Sequence, residues 1–403
     1  MWPCQFDWQG HIHDMKNKGK IKVNITAHTT LSAFTADEWD RLNPSKHPFL
    51  CYAFLKALED SGSVGGQTGW DMLFLAARED SSDLLVGILP AYIKHHSYGE
   101  YVFDHSWAHA FERAGGRYYP KLLCAVPFTP VPGPRLLYDH HHPEIIHTLL
   151  NALETIARDN QISSAHINFI IDEDRNVLKD KGWMIRTGVQ FHWQNNNYNC
   201  FDDFLASLSS RKRKTLRKER QGLFHKGITF HQLTDTDIKP EHWSLFYQFY
   251  LSTVEKKWGG AYLTESFFHQ IGTQMADQIL LVLAEKDGQL IAGALNFIGQ
   301  DSLYGRNWGC IEHIPNLHFE TCYYQAIDFA ISRKLATVEA GAQGLHKVQR
   351  GYLPVYTYSA HWLADSQFSE AVSRFLSQEQ AAVEEDARSI DEISPYRREN
   401  KAG

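Results

Sequence analysis

The sequence predicts an α/β (α+β) protein of two similar tandem domains, each a mixed, mostly antiparallel sheet flanked by helices. Three observations lead to this prediction. The chain has 403 residues, more than one hydrophobic core usually organises. Hydrophobic residues make up 43% and charged residues 22%, as in ordinary globular proteins. Finally, Leu73–Ala108 and Leu280–Cys310 share one pattern of apolar runs and turns, which indicates an internal repeat.

The domain boundary is expected in the polar, turn-like segment WQNNNYN, which begins at Trp193. We predict a first domain at residues 21–193 and a second at residues 194–390. Residues 1–20 lack the apolar stretch of a signal peptide and are expected to form a flexible extension. Residues 391–403 are expected to form a flexible tail.

Each copy of the repeat is predicted to begin as a meander of strands. In the second copy Asp287-Gly288 separates two apolar runs, a strong signal for a two-residue hairpin turn. The strand after the turn carries Gly87 in the first copy and Gly293 in the second, which is typical of a bulge or a close backbone approach. A third strand that ends near a tryptophan, Trp107 or Trp308, is expected in each copy.

A helix and a further strand follow each predicted meander. In the second copy apolar residues recur at 3.6-residue spacing over Phe319–Leu335, and strands are predicted at Thr337–Ala342 and Thr357–Leu363. In the first copy the helix is predicted at Pro143–Asp159 and the strand at Ser164–Ile170. A meander joined through a helix to another strand indicates a mixed sheet with helices on its faces.

Composition argues against several classes of function. The net charge of -7 gives no general attraction to nucleic acid, so any polyanion must bind locally. The six cysteines are widely spaced without a CxxC pair, as expected for free thiols in the cytoplasm. No segment approaches the roughly 18 apolar residues of a membrane span. The run His140–His142 before Pro143 is interpreted as a turn, and no metal site is predicted.

Six strings of unusual composition run through most of the chain. They are HSYGEYVFDHSWA, GGRYYPKLLCAVPFTPVPGPRLL, LSSRKRKTLRKER, YGRNWG, FETCYYQAIDFAI and EAGAQGLHKVQRGYLP. Together they resemble the Fem-like (FemAB-like) branch of the GNAT acyltransferase superfamily, which consists of bacterial proteins with two tandem GNAT domains. The resemblance implies the order β-β-β-α-β-α in each half.

The resemblance also implies transfer of an acyl or aminoacyl group to an amine, with formation of an amide. Better-known members use aminoacyl-tRNA and act on peptidoglycan precursors, whereas other GNAT proteins use acyl-CoA. The Q/R-x-x-G-x-G/A loop that binds the CoA pyrophosphate is absent after Gln289–Gly299 and after Tyr304–Gly309. This favours a tRNA-type or other donor over acyl-CoA, and no cofactor is expected. Non-catalytic recognition of a cell-wall precursor or RNA on the same scaffold is the remaining alternative.

The sharpest local charge lies in Ser209–Gln221, which holds seven basic residues and one acid. Arg213, Arg217 and Arg220 follow helical spacing and therefore share one face. Such a helix would attract the phosphates of tRNA or of a nucleotide-linked precursor, and a solvated helix without a ligand is the alternative. The candidate polyanion-binding residues are Arg211, Arg213, Lys214, Arg217 and Lys218.

The loop EAGAQGLHKVQRG collects polar side chains at the end of a predicted strand. Aminoacyl transfer requires a group that takes the proton of the amine and positive charge near the developing oxyanion. We predict Glu339 or His346 as the proton acceptor. Lys347 and Arg350 would hold the carbonyl oxygen or a phosphate, and Gln343 would contact the substrate. A capped surface loop without a ligand is the alternative.

Two other segments supply candidate substrate contacts. On the Tyr-Gly-Arg-Asn-Trp strand, Arg306 and Trp308 share a face; Arg306 is a candidate ligand, and Trp308 is either a core residue or a stacking wall. In the first domain, five prolines within Pro120–Pro134 prevent a continuous central strand. This stretch is interpreted as a rigid loop with Lys121 and Arg135 as substrate contacts. We therefore expect the second domain to carry the chemistry.

Overall fold

The structure is a computed structural model that describes residues 21–257, 260–341 and 344–397. The strands are β1 (Val23–His28), β2 (Trp70–Glu79), β3 (Leu85–Lys94), β4 (Lys121–Cys124), β5 (Leu137–Tyr138), β6 (Ser164–Ile170), β7 (Met184–Gln194), β8 (Ile228–Thr234), β9 (Ile279–Lys286), β10 (Gln289–Ile298), β11 (Ser302–Cys310), β12 (Thr337–Glu339) and β13 (Leu353–Leu363). The helices are α1 (Ala36–Arg41), α2 (Tyr52–Asp60), α3 (His105–Arg113), α4 (Ile145–Asp159), α5 (Asp172–Asp180), α6 (Phe201–Ser207), α7 (Ser210–Phe224), α8 (Pro240–Lys257), α9 (Glu265–Gln274), α10 (Leu317–Phe319), α11 (Gln325–Ser332) and α12 (Ser366–Glu392).

The chain divides into two compact units. The first consists of the residues up to Thr187 together with Thr357–Gln380, and the second of Gly188–Tyr356 together with the residues from Ala381. Within the first unit the strand order is β1-β2-β3-β4-β6-β13, with β5 paired to β3. Within the second unit the order is β8-β9-β10-β11-β12-β7.

The two units repeat one pattern of strand pairing. From β1 in the first unit, three antiparallel pairs are followed by the parallel pair β4–β6 and the antiparallel pair β6–β13. From β8 in the second unit, three antiparallel pairs are followed by the parallel pair β11–β12 and the antiparallel pair β12–β7. The predicted fold class, with mixed and mostly antiparallel sheets flanked by helices, is therefore confirmed.

The last strand of each sheet comes from a distant part of the chain. In the first unit β13 pairs with β6, so that His361 lies opposite His166. In the second unit β12 pairs with β7, so that Glu339 lies opposite His192. The compact units therefore differ from the contiguous ranges 21–193 and 194–390, because the last strand returns to the first unit.

Helices pack their apolar faces on these sheets as their periodicity predicts. In the first unit Leu149 and Leu153 of α4 lie in one core with Leu75 and Leu89 of the sheet. A Cβ added to Gly87 would lie 2.5 Å from Cγ2 of Ile145, so glycine lets α4 approach β3 closely. In the second unit a continuous helical run forms α10, a π-helical turn and α11, and it covers β9 and β11.

The third strand expected near Trp107 does not form in the first unit, and that prediction is wrong. The chain turns at Gly99 and Tyr101, whose φ angles are 79° and 59°. Trp107 lies on α3 and is buried. The sheet is continued instead by β4, which pairs with β3, and Lys121 at the start of β4 donates to Glu100 and Asp104 of the segment that was expected to form the strand.

The ends of the chain are only partly described. Residues 1–20 and 398–403 of the predicted extension and tail lie outside the described residues. Tyr396, within the predicted flexible tail, forms a bridge with Leu208 and donates a hydrogen bond to the Gly351 carbonyl at 2.8 Å. In the described part of the chain, no helix is long and apolar enough to cross a membrane. The same residues contain no group of three or more His, Cys, Asp or Glu that could hold a metal ion.

Candidate functional site

In the second unit, the parallel pairing between β11 and β12 ends at Glu339. β11 and β12 pair only from Ser302 with Thr337 to Tyr304 with Glu339. β12 ends at Glu339, whereas β11 continues to Cys310. A side chain at Gly305 would meet the Glu339 carbonyl oxygen at 3.3 Å, so the two strands are close where they diverge. Groups at the end of β12 and in the following part of β11 therefore border one opening in the sheet.

Glu339 is a nearly buried carboxyl group at this point. Its side chain is 12% exposed, and among the described residues its Oε2 atom has no hydrogen-bond partner. Burial raises the pKa of Glu339 to about 8; the charge of Asp301 adds to the shift and that of Arg306 opposes it. A carboxyl group with this pKa and an unbonded oxygen can accept a proton near pH 8.

His192 lies beside Glu339 on β7. Its Nε2 atom is 3.8 Å from the Glu339 carboxylate and 3.4 Å from Oε1 of Gln190. Burial and, to a smaller extent, the positive charge of Lys347 together lower the pKa of His192 to about 4, so the ring is neutral near pH 7. Our sequence interpretation missed this residue. Its signal was the alternation of Gln190 and His192 with the apolar residues Val189, Phe191 and Trp193 in β7.

The predicted loop residues Lys347 and His346 have different surroundings. Both lie on the 3₁₀ helix Leu345–Arg350. Lys347 is buried and its Nζ atom donates to the Gly341 carbonyl at 2.8 Å. Burial lowers the pKa of Lys347 to about 8, against the effect of Cys322. The His346 side chain is exposed and its Nε2 atom is hydrogen-bonded to the Tyr323 hydroxyl at 2.9 Å. Between the two candidate proton acceptors, the geometry thus favours Glu339.

Arg306 occupies a β-bulge. In the pairing of β10 with β11, Leu295 lies opposite Asn307 and Asn296 opposite Gly305, so the register passes over Arg306. The alternation that places Arg306 and Trp308 on one face is interrupted there, because a bulge re-aims the side chain. The Arg306 charge acts on Glu339, whereas the Trp308 ring packs 4.7 Å from the His318 ring.

The remaining predicted contacts are held by other protein groups. Arg350 is buried; it donates to Glu219 at 2.9 Å and to the His346 carbonyl at 2.8 Å, and its guanidinium lies 3.2 Å from the Phe319 ring centroid. Gln343 lies outside the described residues. In the first unit, Arg135 is 1% exposed and donates to the carbonyls of Val131, Pro134 and Asn168.

Lys121 is fully buried in the first unit. Its ammonium group donates to Glu100 and Ser97, each at 2.8 Å, and to Asp104. Both predicted contacts of the first unit, Lys121 and Arg135, are thus enclosed by protein. The Glu339 carboxyl group, whose Oε2 atom has no hydrogen-bond partner among the described residues, lies in the second unit, the unit in which we expected the chemistry.

The predicted basic helix is confirmed as α7, and its two faces differ. Arg213 is half-buried, and the residues Arg211, Lys214, Arg217 and Lys218 are exposed. Arg217 also pairs with Asp202 at 2.8 Å. Arg220, which the helical spacing grouped with Arg213 and Arg217, instead pairs inward with Glu320 at 2.8 Å and Asp328 at 2.6 Å. The face available to a polyanion therefore excludes Arg220.

The raised pKa of Glu339 predicts how stability depends on pH. The native state keeps this proton up to about pH 8, whereas the unfolded chain releases it near 4.5. The native state therefore binds more protons between these values, and the free energy of unfolding falls as pH rises through this range. We expect Glu339→Gln to be more stable than wild type at pH 8.5 by on the order of 1–4 kcal/mol, with little difference at pH 4, in urea unfolding. An effect of the same size at both pH values would contradict the raised pKa.

Known proteins resemble this chain in sequence or in structure. Residues 30–398 match the FemAB-like family, described as peptidoglycan biosynthesis/recognition. The crystal structure of FemX is 13% identical, with a TM-score of 0.52, over 84% of this chain and 98% of that one. L-PGS from Bacillus licheniformis is 14% identical (TM-score 0.48; 80% and 96% covered). A tandem GNAT protein from the clavulanic acid biosynthesis pathway is 11% identical (0.46; 85% and 99%). No curated protein matches the sequence.

Proposed function

Because the chain belongs to the FemAB-like family of peptidoglycan biosynthesis and recognition, we propose that it transfers an acyl group to an amine of a peptidoglycan precursor. The acyl group is an aminoacyl group carried by tRNA, and the product is an amide. The observation that carries this proposal is the Glu339 carboxyl group, which is buried, has a pKa raised to about 8 by burial, and has an oxygen without a hydrogen-bond partner in the described part of the chain.

The reaction uses Glu339 to move a proton. The amine nitrogen attacks the carbonyl carbon of the donor ester, a C–N bond forms, and the C–O bond to the ribose breaks. The amine proton passes to the Glu339 carboxylate and from there to the departing ribose oxygen. Arg306 and Lys347 supply positive charge for the oxyanion that develops on the carbonyl oxygen. The neutral His192 ring next to Glu339 adds no charge that would compete with this proton transfer.

The exposed face of α7 is the part of the chain that supports a tRNA donor. Its exposed cations lie on one helix, where Arg217 pairs with Asp202, while the acid of the helix, Glu219, pairs with Arg350. Phosphate contacts of this kind release counterions, so binding weakens as salt concentration rises. The missing pyrophosphate-loop sequence disfavours acyl-CoA for the same reaction.

Neutralising two α7 cations is expected to weaken tRNA binding without changing the chemical step. The double variant Lys214→Gln/Lys218→Gln should reduce the slope of log Kd against log salt concentration by about one for each phosphate that the helix no longer binds. Fluorescence anisotropy with labelled aminoacyl-tRNA over a salt series measures this slope. Lys334→Gln, at an exposed lysine outside α7, is the control. A slope unchanged from wild type would contradict a polyanion site on α7.

Competition between donors tests the proposed reaction. The full chain is incubated with a UDP-linked muropeptide and either aminoacyl-tRNA or acyl-CoA that is labelled in the acyl group. We expect label in the muropeptide from tRNA and none from acyl-CoA. Transfer from acyl-CoA alone would overturn the tRNA donor. Tight muropeptide binding without transfer from either donor would identify a recognition protein.

A further inference from the structure

The inner face of α7 is bonded to the segment that carries Lys347. Glu219 accepts a hydrogen bond from Arg350 at 2.9 Å and a second from the Tyr324 hydroxyl. Nearly two turns earlier on the same helix, Lys212 donates to Gln349. α7 therefore holds the end of the 3₁₀ helix Leu345–Arg350 at two points.

Arg350 connects α7 with an earlier residue of the 3₁₀ helix. Its guanidinium donates to the His346 carbonyl at 2.8 Å while it is bonded to Glu219. The residue after His346, Lys347, donates to the Gly341 carbonyl, two residues after Glu339. A continuous set of contacts thus connects the helix that carries the exposed cations with the backbone that follows the candidate base.

We propose that Glu219 is a positioning residue that fixes the Leu345–Arg350 segment through Arg350 and so places Lys347 beside the Glu339 site. This inference rests on the proposed function for its catalytic consequence, but its structural part does not. Glu219 does not touch the reacting atoms. It acts because Arg350 is buried, so that loss of the carboxylate leaves the buried cation without this partner.

Two substitutions at Glu219 separate positioning from mere loss of charge. Glu219→Ala removes both hydrogen bonds, whereas Glu219→Gln keeps an oxygen that can accept from Arg350. In Glu219→Ala we expect kcat to fall about 10- to 100-fold while KM for the donor stays within about threefold, as for other groups that orient a site from behind. Glu219→Gln should recover much of the lost kcat. Glu241→Ala, at an exposed acid on α8, should match wild type.

Hydrogen exchange supplies a readout that is independent of transfer. Mass spectrometry of the full chain should show amides of residues 345–351 exchanging about tenfold faster in Glu219→Ala than in wild type, with Glu219→Gln between them. Unchanged exchange in this segment, or faster exchange with unchanged kcat, would overturn the inference. If wild type forms no amide but exchange of residues 345–351 is still faster in Glu219→Ala, the proposed function is wrong. The inference that Glu219 fixes this segment through Arg350 is then still supported.

Discussion

Replacing Glu339 by glutamine is expected to lower kcat/KM for amide formation by about two to four orders of magnitude. Glutamine has nearly the shape of the glutamic acid side chain but cannot accept the amine proton. The substitution therefore removes proton transfer while it leaves the strand end and the neighbouring His192 contact geometry in place. The expected loss would appear in kcat, because the substrate contacts elsewhere are unchanged.

The pH dependence of the wild-type reaction gives this prediction a second test. Activity should rise as Glu339 ionises, with its pKa of about 8, and fall as Lys347 loses its proton, with its pKa of about 8. The result is a bell-shaped profile of kcat/KM centred near pH 8. The ascending limb should vanish in Glu339→Gln. Glu265→Gln, at an exposed acid on α9, is the matched control. An equal loss of the ascending limb in Glu265→Gln would contradict Glu339 as the proton acceptor.

Replacing Lys121 by alanine is expected to lower the free energy of unfolding by about 3–5 kcal/mol. Lys121 neutralises two buried carboxylates, Glu100 and Asp104. Burial already raises the pKa of Glu100 to about 7, against the effect of Lys121. Without the Lys121 ammonium group, two buried acids would face the Lys94 ammonium, which lies 4.0 Å from Glu100, and the excess acid would have to take up a proton.

Urea unfolding of Lys121→Ala at pH 7 measures this cost. Lys179→Ala, at an exposed lysine on α5, should change stability by less than about 0.5 kcal/mol. The sequence pattern predicts that Lys121 contacts substrate, whereas the structure gives it a stabilising role. Loss of a stabilising residue lowers the free energy of unfolding, and loss of a substrate contact lowers affinity instead. A variant that unfolds like wild type but has weaker affinity for the muropeptide would restore the substrate contact and contradict the structural role.

Local sequence patterns located individual elements well because they depend on near neighbours in the chain. The 3.6-residue spacing over 319–335 found the run that ends at Ser332, and Asp287-Gly288 found the β9–β10 hairpin. The return of β13 to the first unit was not predictable in the same way. Its pairing with β6 joins residues such as His166 and His361, and no local propensity encodes a partner so far along the chain.

The candidate site could be predicted only in part for the same reason. Glu339 ends β12 and Lys347 lies on the 3₁₀ helix that follows it in the chain, so the sequence alone groups these two residues. His192 reaches Glu339 only through strand pairing, and Glu219 reaches Arg350 only through helix packing. Charge alone makes residues such as Lys121 and Arg135 candidate contacts, but burial and internal partners decide what a charged side chain does.

Mass spectrometry of the muropeptide tests most directly whether Glu339 accepts the proton in aminoacyl transfer. The muropeptide is incubated with aminoacyl-tRNA and either wild-type protein or Glu339→Gln. We expect wild type to add the mass of one aminoacyl residue through an amide that resists mild base, and Glu339→Gln to leave the muropeptide unchanged. Equal product from both proteins would contradict Glu339 as the proton acceptor. Muropeptide that is bound by both proteins but modified by neither would contradict acyl transfer itself.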